Sequence, residues 1–201
     1  VEGVRRPGTR LQERTLCEVY GISRSPLREA FQILVAEKLI DVSVNKGAVV
    51  STPTASFILQ NFTLLRSLEL LAIRLACRYA DGRDLDGIGE AEEAMKACIA
   101  ANDLRGFFRA NNEVHRRIVL AGGNGPLADA HLIASRQIIR VQNLDGPLEH
   151  FPGEGVSEHE RVIAALRERD EVLAHALLDA HLDTIEDNLR RRLEALVLEP
   201  T

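Results

Sequence analysis

Residues 13–50, ERTLCEVYGISRSPLREAFQILVAEKLIDVSVNKGAVV, decide the fold. Leu16 and Val19 lie three apart on a first short helix, Gly21 fits the left-handed position that ends it, and Ile22 plugs the turn. Ser23 or Ser25 caps the next helix, and Pro26 is tolerated in its first turn because the amides there have no intrahelical partner. Leu27, Ala30, Phe31 and Leu34 form the buried stripe of that second helix. At about 100° per residue, Arg24, Ser25, Arg28 and Gln32 share a different arc. Two strands follow, residues 39–44 and 48–51, joined at Asn45-Lys46-Gly47, where Asn and Gly favour a tight reversal. Helix, turn, helix and hairpin in that order outline a winged helix-turn-helix. Arginine pairs bidentately with guanine, while Ser or Gln takes bases or phosphates, so the outward arc suits the major groove. Lys46 at the wing tip reaches a phosphate or the minor groove. A solvated helical face beside an ordinary hairpin explains either arginine alone, but not the whole succession.

Outward from this stretch, the 201 residues suffice for two small domains. An apolar content of 45% with 4% aromatic residues and no tryptophan suits a helical core of Leu, Ile, Val and Ala. The net charge of −5 would argue against a nucleic-acid partner if it were uniform. Residues 1–52 instead carry eight Lys/Arg against six Asp/Glu, or +2, leaving seventeen against twenty-four, or −7, for residues 53–201. A mildly basic head on an acidic body fits a DNA reader with a separate regulatory part. Cys17, Cys77 and Cys98 are odd in number and widely spaced, so they read as small apolar residues in a reducing cytoplasm rather than as a disulfide framework. No secretory leader and no apolar run long enough to cross a bilayer is expected.

Residues 1–10 read as an extended lead-in, and Thr52-Pro53-Thr54 as the boundary between a domain of residues 1–52 and one of residues 53–201. Beyond it the pattern is helical. A long helix over residues 55–80 carries Leu65, Leu68, Leu71, Ala72 and Leu75 on its stripe, with a candidate break near Asn61. Further helices are expected over residues 84–101, over 103–121 with Asp103 as cap, and over 127–144 after Gly122-Gly123-Asn124-Gly125-Pro126. A Gly- and Pro-rich loop extends to Gly155, and Ser157-Glu158-His159-Glu160 reads as a capping box opening a helix to residue 169. Asp170 caps a last helix to residue 198. The fold class is therefore mainly α: an N-terminal winged helix-turn-helix with a small β-hairpin wing, then an all-α bundle of about six helices.

Three of those helices carry a histidine on an apolar face. Asn111 and His115 lie four apart beside Phe107, Val114 and Ile118. His159 shares the face of Val162, Ile163 and Leu166, and His181 lies between Leu177 and Ile185. Any one of them is ordinarily a hydrogen-bonded core histidine. Burying all three is costly without polar partners, and a shared divalent cation satisfies them together. Three neutral imidazoles and an oxygen donor suit zinc first, with nickel and manganese as alternatives. His131, His150 and His175 read as structural or solvated.

The run over residues 13–50 resembles the DNA-binding domain of the GntR family of bacterial transcription regulators, most specifically at Ser23-Arg24-Ser25-Pro26-Leu27-Arg28-Glu29-Ala30. The resemblance implies that Arg14, Arg24, Ser25 and Arg28 touch operator DNA and that Lys46-Gly47 form the wing tip. Lys38 departs from a usual glycine, and because the chain begins at Val1 the family's first helix is expected to be missing or cut short. Residues 60–198 resemble the all-helical ligand-binding (FCD) domain of the family's FadR-type branch, at Leu65-Arg66-Ser67-Leu68-Glu69, residues 111–115, Gly123-Asn124, Glu158-His159 and residues 170–182. That similarity implies a divalent metal held by Asn111, His115, His159 and His181, with Asn111 where Asp is common and Val114 where Phe is common. It also implies a small carboxylate effector at the metal. Arg66 is the expected carboxylate clamp, with a plain salt bridge as its other role, and Gln137 and Arg140 line the same cavity.

The expected function is a cytoplasmic, DNA-binding transcription regulator, a repressor and not an enzyme. It pairs as a homodimer over a palindromic operator and answers to a small carboxylic acid. Two other readings use the same histidines: a metal-dependent hydrolase or lyase, and a sensor whose effector is the cation itself. Against the enzyme, Glu113 lies about 200° round the helix from His115 and points away from it.

Overall fold

The computed structural model describes residues 5–43, 47–142 and 153–198, and the chain divides into two compact units, residues 1–57 and 58–201. The first unit holds β1 (Arg10–Leu11), α1 (Glu13–Tyr20), α2 (Arg24–Ala36), β2 (Ile40–Ser43) and β3 (Gly47–Val50). α1 ends at Gly21, whose φ of +63° is the left-handed conformation that glycine adopts without steric cost. Ser23 occupies the N-cap position of α2 with extended backbone but makes no capping hydrogen bond through its side chain. Lys38 lies at φ +56°, which accounts physically for the glycine usual there, and the Ser51 hydroxyl donates to its carbonyl at 2.7 Å.

Leu11, Leu16, Leu27, Phe31, Ile40 and Ala48 form the core of this unit, with Cys17, Leu34 and Val50 packed against it. Three expected core positions lie outside it. Val19 is 65% exposed, Ile22 is exposed, and so is Ala30. α1 is only eight residues long, and Leu16 with Cys17 already fills its contact with α2. The lead-in adds a strand that the sequence did not announce. Arg10 pairs with Val49 and Leu11 with Ala48, so β3 is the central strand in the order β1-β3-β2. Two residues are too few to display a strand period. The wing turn at Val44, Asn45 and Lys46, and with it the expected role of Lys46, lies outside the described residues.

Six helices follow: α3 (Ala55–Tyr79), α4 (Gly82–Ala100), α5 (Leu104–Ala121), α6 (Gly125–Gln142), α7 (Gly153–Arg167) and α8 (Glu171–Leu198). The Thr54 hydroxyl caps α3 by accepting from the Phe57 amide at 3.2 Å. The expected break near Asn61 is absent, because the buried series Ile58, Phe62, Leu65 runs past it unbroken. That buried face continues through Glu69, Ala72, Ile73, Ala76 and Cys77, while Leu71 on the expected stripe is 46% exposed. Contrary to expectation, α3 is long and apolar enough by length and composition to cross a membrane. Its buried face, with an ionisable Glu69 among the apolar residues, is that of a bundle core helix.

The helix starts follow their caps. Asp81 and Asp84 form a reciprocal capping box at 2.9 Å each way, so α4 begins earlier than residue 84. Asp103 accepts from the Gly106 amide, Asn124 from Leu127 and Asp170 from Leu173. α7 begins at Gly153, upstream of Ser157, so the expected capping box is inside the helix and Glu158 is free to turn toward α8. α4 packs on α5 and α7, α5 on α6, and α7 on α8. Phe62, Phe107, Ile88, Met95, Leu166 and Leu178 are fully buried in this unit. Both tyrosines stay outside: Tyr20 at the end of α1 and Tyr79 at the end of α3 are each about two-thirds exposed.

Besides Glu171, which pairs with Arg74 and Arg78, a further side chain holds the C-terminal end of α3. Arg169, at φ +61° in the α7–α8 turn, donates to the carbonyls of Ala76, Cys77 and Ala80 at 3.1, 3.2 and 2.5 Å. These carbonyls lie at the helix end, where intrahelical donors run out; that of Ala76 also accepts from the Ala80 amide at 3.0 Å. Arg169→Ala is expected to lower the unfolding free energy by about 1–2 kcal/mol in urea denaturation, since a cation's hydrogen bonds are lost from a partly exposed site. Arg169→Gly is expected to cost less, because glycine relieves the left-handed backbone.

Candidate functional site

In the N-terminal unit, Arg24, Ser25, Arg28 and Gln32 lie exposed along α2, as the arc predicts. Among the described residues no carboxylate pairs with Arg24. Arg28 is engaged: its Nε donates to both Glu13 oxygens at 3.2 Å, and Nη2 lies 3.1 Å from Oε2, tying α2 to α1. Arg14 lies 3.4 Å from Glu18 within α1. Exposed pairs of this kind contribute roughly 0–1 kcal/mol, so a phosphate can displace the carboxylate. Gly47 opens β3 at φ +69°, with the Arg10 guanidinium over it; a Cβ there would stand 3.8 Å from Nη2. The β1–β3 pairing thus adds a cation beside the wing that sequence reading missed, because β1 itself was not foreseen.

In the helical unit, His115 from α5, His159 from α7 and His181 from α8 converge and are buried. On α8 the buried neighbours are Leu178 and Leu182 rather than the expected Leu177 and Ile185. The Nε2 atoms of His115 and His159 are 3.2 Å apart, and those of His181 and His115 are 3.4 Å apart. Tetrahedral zinc with Zn–N of about 2.0–2.1 Å sets its ligand nitrogens roughly 3.3 Å from one another.

The outer ring nitrogens fix the tautomers. His115 Nδ1 lies 2.8 Å from Glu69 Oε2, and His181 Nδ1 lies 2.7 Å from Glu158 Oε2. An ionised carboxylate only accepts, so each Nδ1 carries a proton and each ring, when neutral, turns its Nε2 lone pair inward. Two lone pairs facing across 3.4 Å repel unless a cation or proton lies between them. The donor set therefore fits a divalent metal, with second-shell carboxylates orienting two of the rings.

Electrostatics follow from the same contacts. Burial pushes the Glu69 carboxyl up, but His115 and His131 outweigh it and hold Glu69 well below the usual carboxylate range. Burial works against a charged His115, yet Glu69 raises its pKa overall. Burial and the neighbouring His115 lower that of His181 against the opposing Glu158.

Asn111 lies half-buried one turn before His115 on α5. The Arg66 guanidinium meets Asp179, Asp183 and Glu186 of α8. Gln137 and Arg140 are both buried on α6, with Arg140 Nη1 donating to Gln137 Oε1 at 3.4 Å. Glu113 is gripped by Arg116 and Arg117, which draw its pKa down to about 2, so it is no general base near neutral pH. Sequence reading missed Glu69 and Glu158 as partners of the histidines, whereas His131 is structural, the first of its two expected roles. A signal for Glu69 existed, since a carboxylate on the stripe Leu65, Glu69, Ala72, Ala76 must find a partner. His131 supplies one, its Nε2 lying 3.0 Å from Glu69 Oε1.

Comparison with known proteins places these features. The family model of the FCD domain matches residues 60–184, and that of the bacterial regulatory proteins of the gntR family matches residues 1–50. The chain is 26% identical over 195 residues to the HTH-type transcriptional regulator YdhC of Bacillus subtilis (strain 168), covering 96% of this chain and 86% of that one. It is 25% identical over 199 residues to the gluconate operon transcriptional repressor of the same organism, covering 94% and 79%. Among solved structures, E. coli McbR/YncC shares the fold with a TM-score of 0.81 at 21% identity, over 95% of this chain and 91% of that one.

Proposed function

The chain belongs to the FCD-domain regulators of the bacterial gntR family, and from that premise we propose that it is a homodimeric repressor whose operator binding is set by a small carboxylate at a divalent metal ion. Members of the family are DNA-binding transcription regulators, not enzymes, and this chain is one. The metal reading rests on one observation: two carboxylate-fixed imidazoles, His115 and His181, turn their Nε2 lone pairs toward each other and toward His159. His115, His159 and His181 hold the cation, zinc first and nickel or manganese otherwise, with Asn111 as the oxygen donor. The bound ion would supply a Lewis-acid position for a carboxylate oxygen. Arg140 and Gln137, buried polar groups on α6, are the effector residues best supported; Arg66 acts only by exchanging its α8 carboxylates for the ligand. Names of relatives agree with the direction of control, one being a gluconate operon repressor and another a probable D-xylose utilization operon repressor.

At the DNA, Arg24, Ser25 and Arg28 read the major groove, Arg14 takes a phosphate, and Lys46-Gly47 carry the wing tip. This activity places the protein with the chromosome, in the cytoplasm. The pairing surface of the homodimer is apolar. Leu64 and Leu71 on α3, Leu120 on α5, and Leu132 and Ile133 on α6 are exposed around a cluster of Ala72, Val119 and Leu127 that Leu68 and Leu75 flank. Exposed apolar residues on helices that share this cluster are the interaction site this reading assigns. Leu71→Glu is expected to convert the dimer to a monomer in sedimentation, with helical content unchanged; an unaltered dimer would place the interface elsewhere.

A gel shift with the DNA upstream of its own gene tests the whole reading. The chain is expected to retard that fragment in the presence of zinc and to release it on adding members of a panel of small hydroxy- and dicarboxylic acids. Release by zinc alone would make the cation the effector. Failure to shift under every condition would overturn the proposal.

A further inference from the structure

Glu69 is 4% exposed, and both of its oxygens are taken by imidazoles from different helices: His115 of α5 at 2.8 Å and His131 of α6 at 3.0 Å. Neither α3, which carries Glu69, nor α6 supplies a residue to the proposed metal ligands. The first turn of α3, Ala55–Phe57, belongs to the N-terminal unit and the rest of it to the C-terminal unit.

We propose that Glu69 is the positioning residue through which occupancy of the metal centre is felt by α3 and α6. This rests on the metal reading above. An imidazole is rigid, so drawing His115 Nε2 onto a cation moves Nδ1 with it, and Glu69 must follow or lose its bond. Glu69 in turn holds His131, whose helix also carries Gln137 and Arg140. Three neutral imidazoles and an amide bring no charge of their own, so before an effector binds the charge of the ion is balanced from outside its protein ligands. Among the described residues, Glu69 is hydrogen-bonded to His115 and Glu158 to His181. Outer partners of this kind typically tune metal affinity ten- to a hundredfold.

The experiment uses the full chain and zinc alone. Zinc affinity is measured by competition with a chromophoric chelator, and backbone hydrogen exchange is followed in α3, α5 and α6 with and without zinc. In the wild type, zinc is expected to slow exchange in α3 around Glu69 and in α6 around His131, as well as at the ligand helices. Glu69→Gln keeps the volume but accepts through one oxygen only; it is expected to weaken zinc ten- to a hundredfold and to lose the added protection of α3 and α6 at saturating zinc. His131→Gln leaves every proposed ligand and Glu69 in place. It is expected to hold zinc within about tenfold while losing the protection of α6, and it decides the matter if Glu69→Gln does not fold. Wild-type zinc affinity in Glu69→Gln, or protection that in the wild type stops at the ligand helices, would overturn the inference and leave the metal site standing. Full α6 protection in His131→Gln would overturn its α6 arm. A wild-type chain that binds no zinc would bring down the metal reading and this inference together.

Discussion

Arg24→Ala is expected to weaken operator binding by ten- to a hundredfold at fixed salt, while leaving the melting temperature unchanged. Arg24 is exposed at the first position of α2 and, among the described residues, pairs with no carboxylate, so its removal costs the fold little. On the DNA side, a guanidinium paired bidentately with guanine discriminates by about 1–3 kcal/mol. The loss should fall on specific DNA: a phosphate-only role would weaken all sequences alike and lower the salt slope by about one. Arg28→Ala is expected to differ by also reducing stability, because Arg28 fastens α2 to Glu13 of α1. Retention by Arg24→Ala of full affinity and sequence preference would show that the outward arc of α2 is not the reading surface.

His159→Ala is expected to lower zinc affinity by a hundredfold or more. Structural zinc sites are worth about 10–16 kcal/mol, so one ligand of four accounts for about 3 kcal/mol, a factor above one hundred in Kd. Because His159 is buried and meets His115 at 3.2 Å, the circular dichroism of the metal-free variant is compared with the wild type to separate ligand loss from unfolding. Cobalt substituted for zinc gives a second reading, through visible absorption that reports coordination number. An unchanged zinc titration would remove His159 from the ligand set. Release of operator by small acids should disappear in the same variant.

Much of this was legible in the chain because its signals are local. The order helix, turn, helix and strand pair is written in residues a few positions apart, and α2 presents Arg24, Ser25 and Arg28 as a helical wheel requires. The three histidines were readable for a related reason: each sits on a single apolar stripe, so direction toward the core is a property of one helix at a time. What was not legible depends on pairings across the chain. β1 exists only because Leu11 meets Ala48, and its two residues carry no pattern of their own. Glu158 looked like part of a helix cap until α7 began upstream of it and its carboxylate met a residue 23 positions on. Arg66 as a ligand clamp and Arg66 as an ion-pair partner are identical in sequence; three carboxylates of α8 favour the second. The stripe of α3 was legible except at one position: Leu65 and Ala72 are buried and Leu68 and Leu75 pack against a core cluster, while Leu71 turns outward.

The absence of tryptophan leaves Tyr20 and Tyr79 as the whole set of near-ultraviolet emitters of any strength, and the division of the chain gives one to each unit. Both side chains are open to solvent, so each is also within reach of a collisional quencher such as iodide. Replacing either by phenylalanine would therefore leave a protein whose remaining phenol reports on one half alone. Tyr20 would register a duplex arriving at the end of α1, and Tyr79 would register events at the far end of α3, with no dye attached to either.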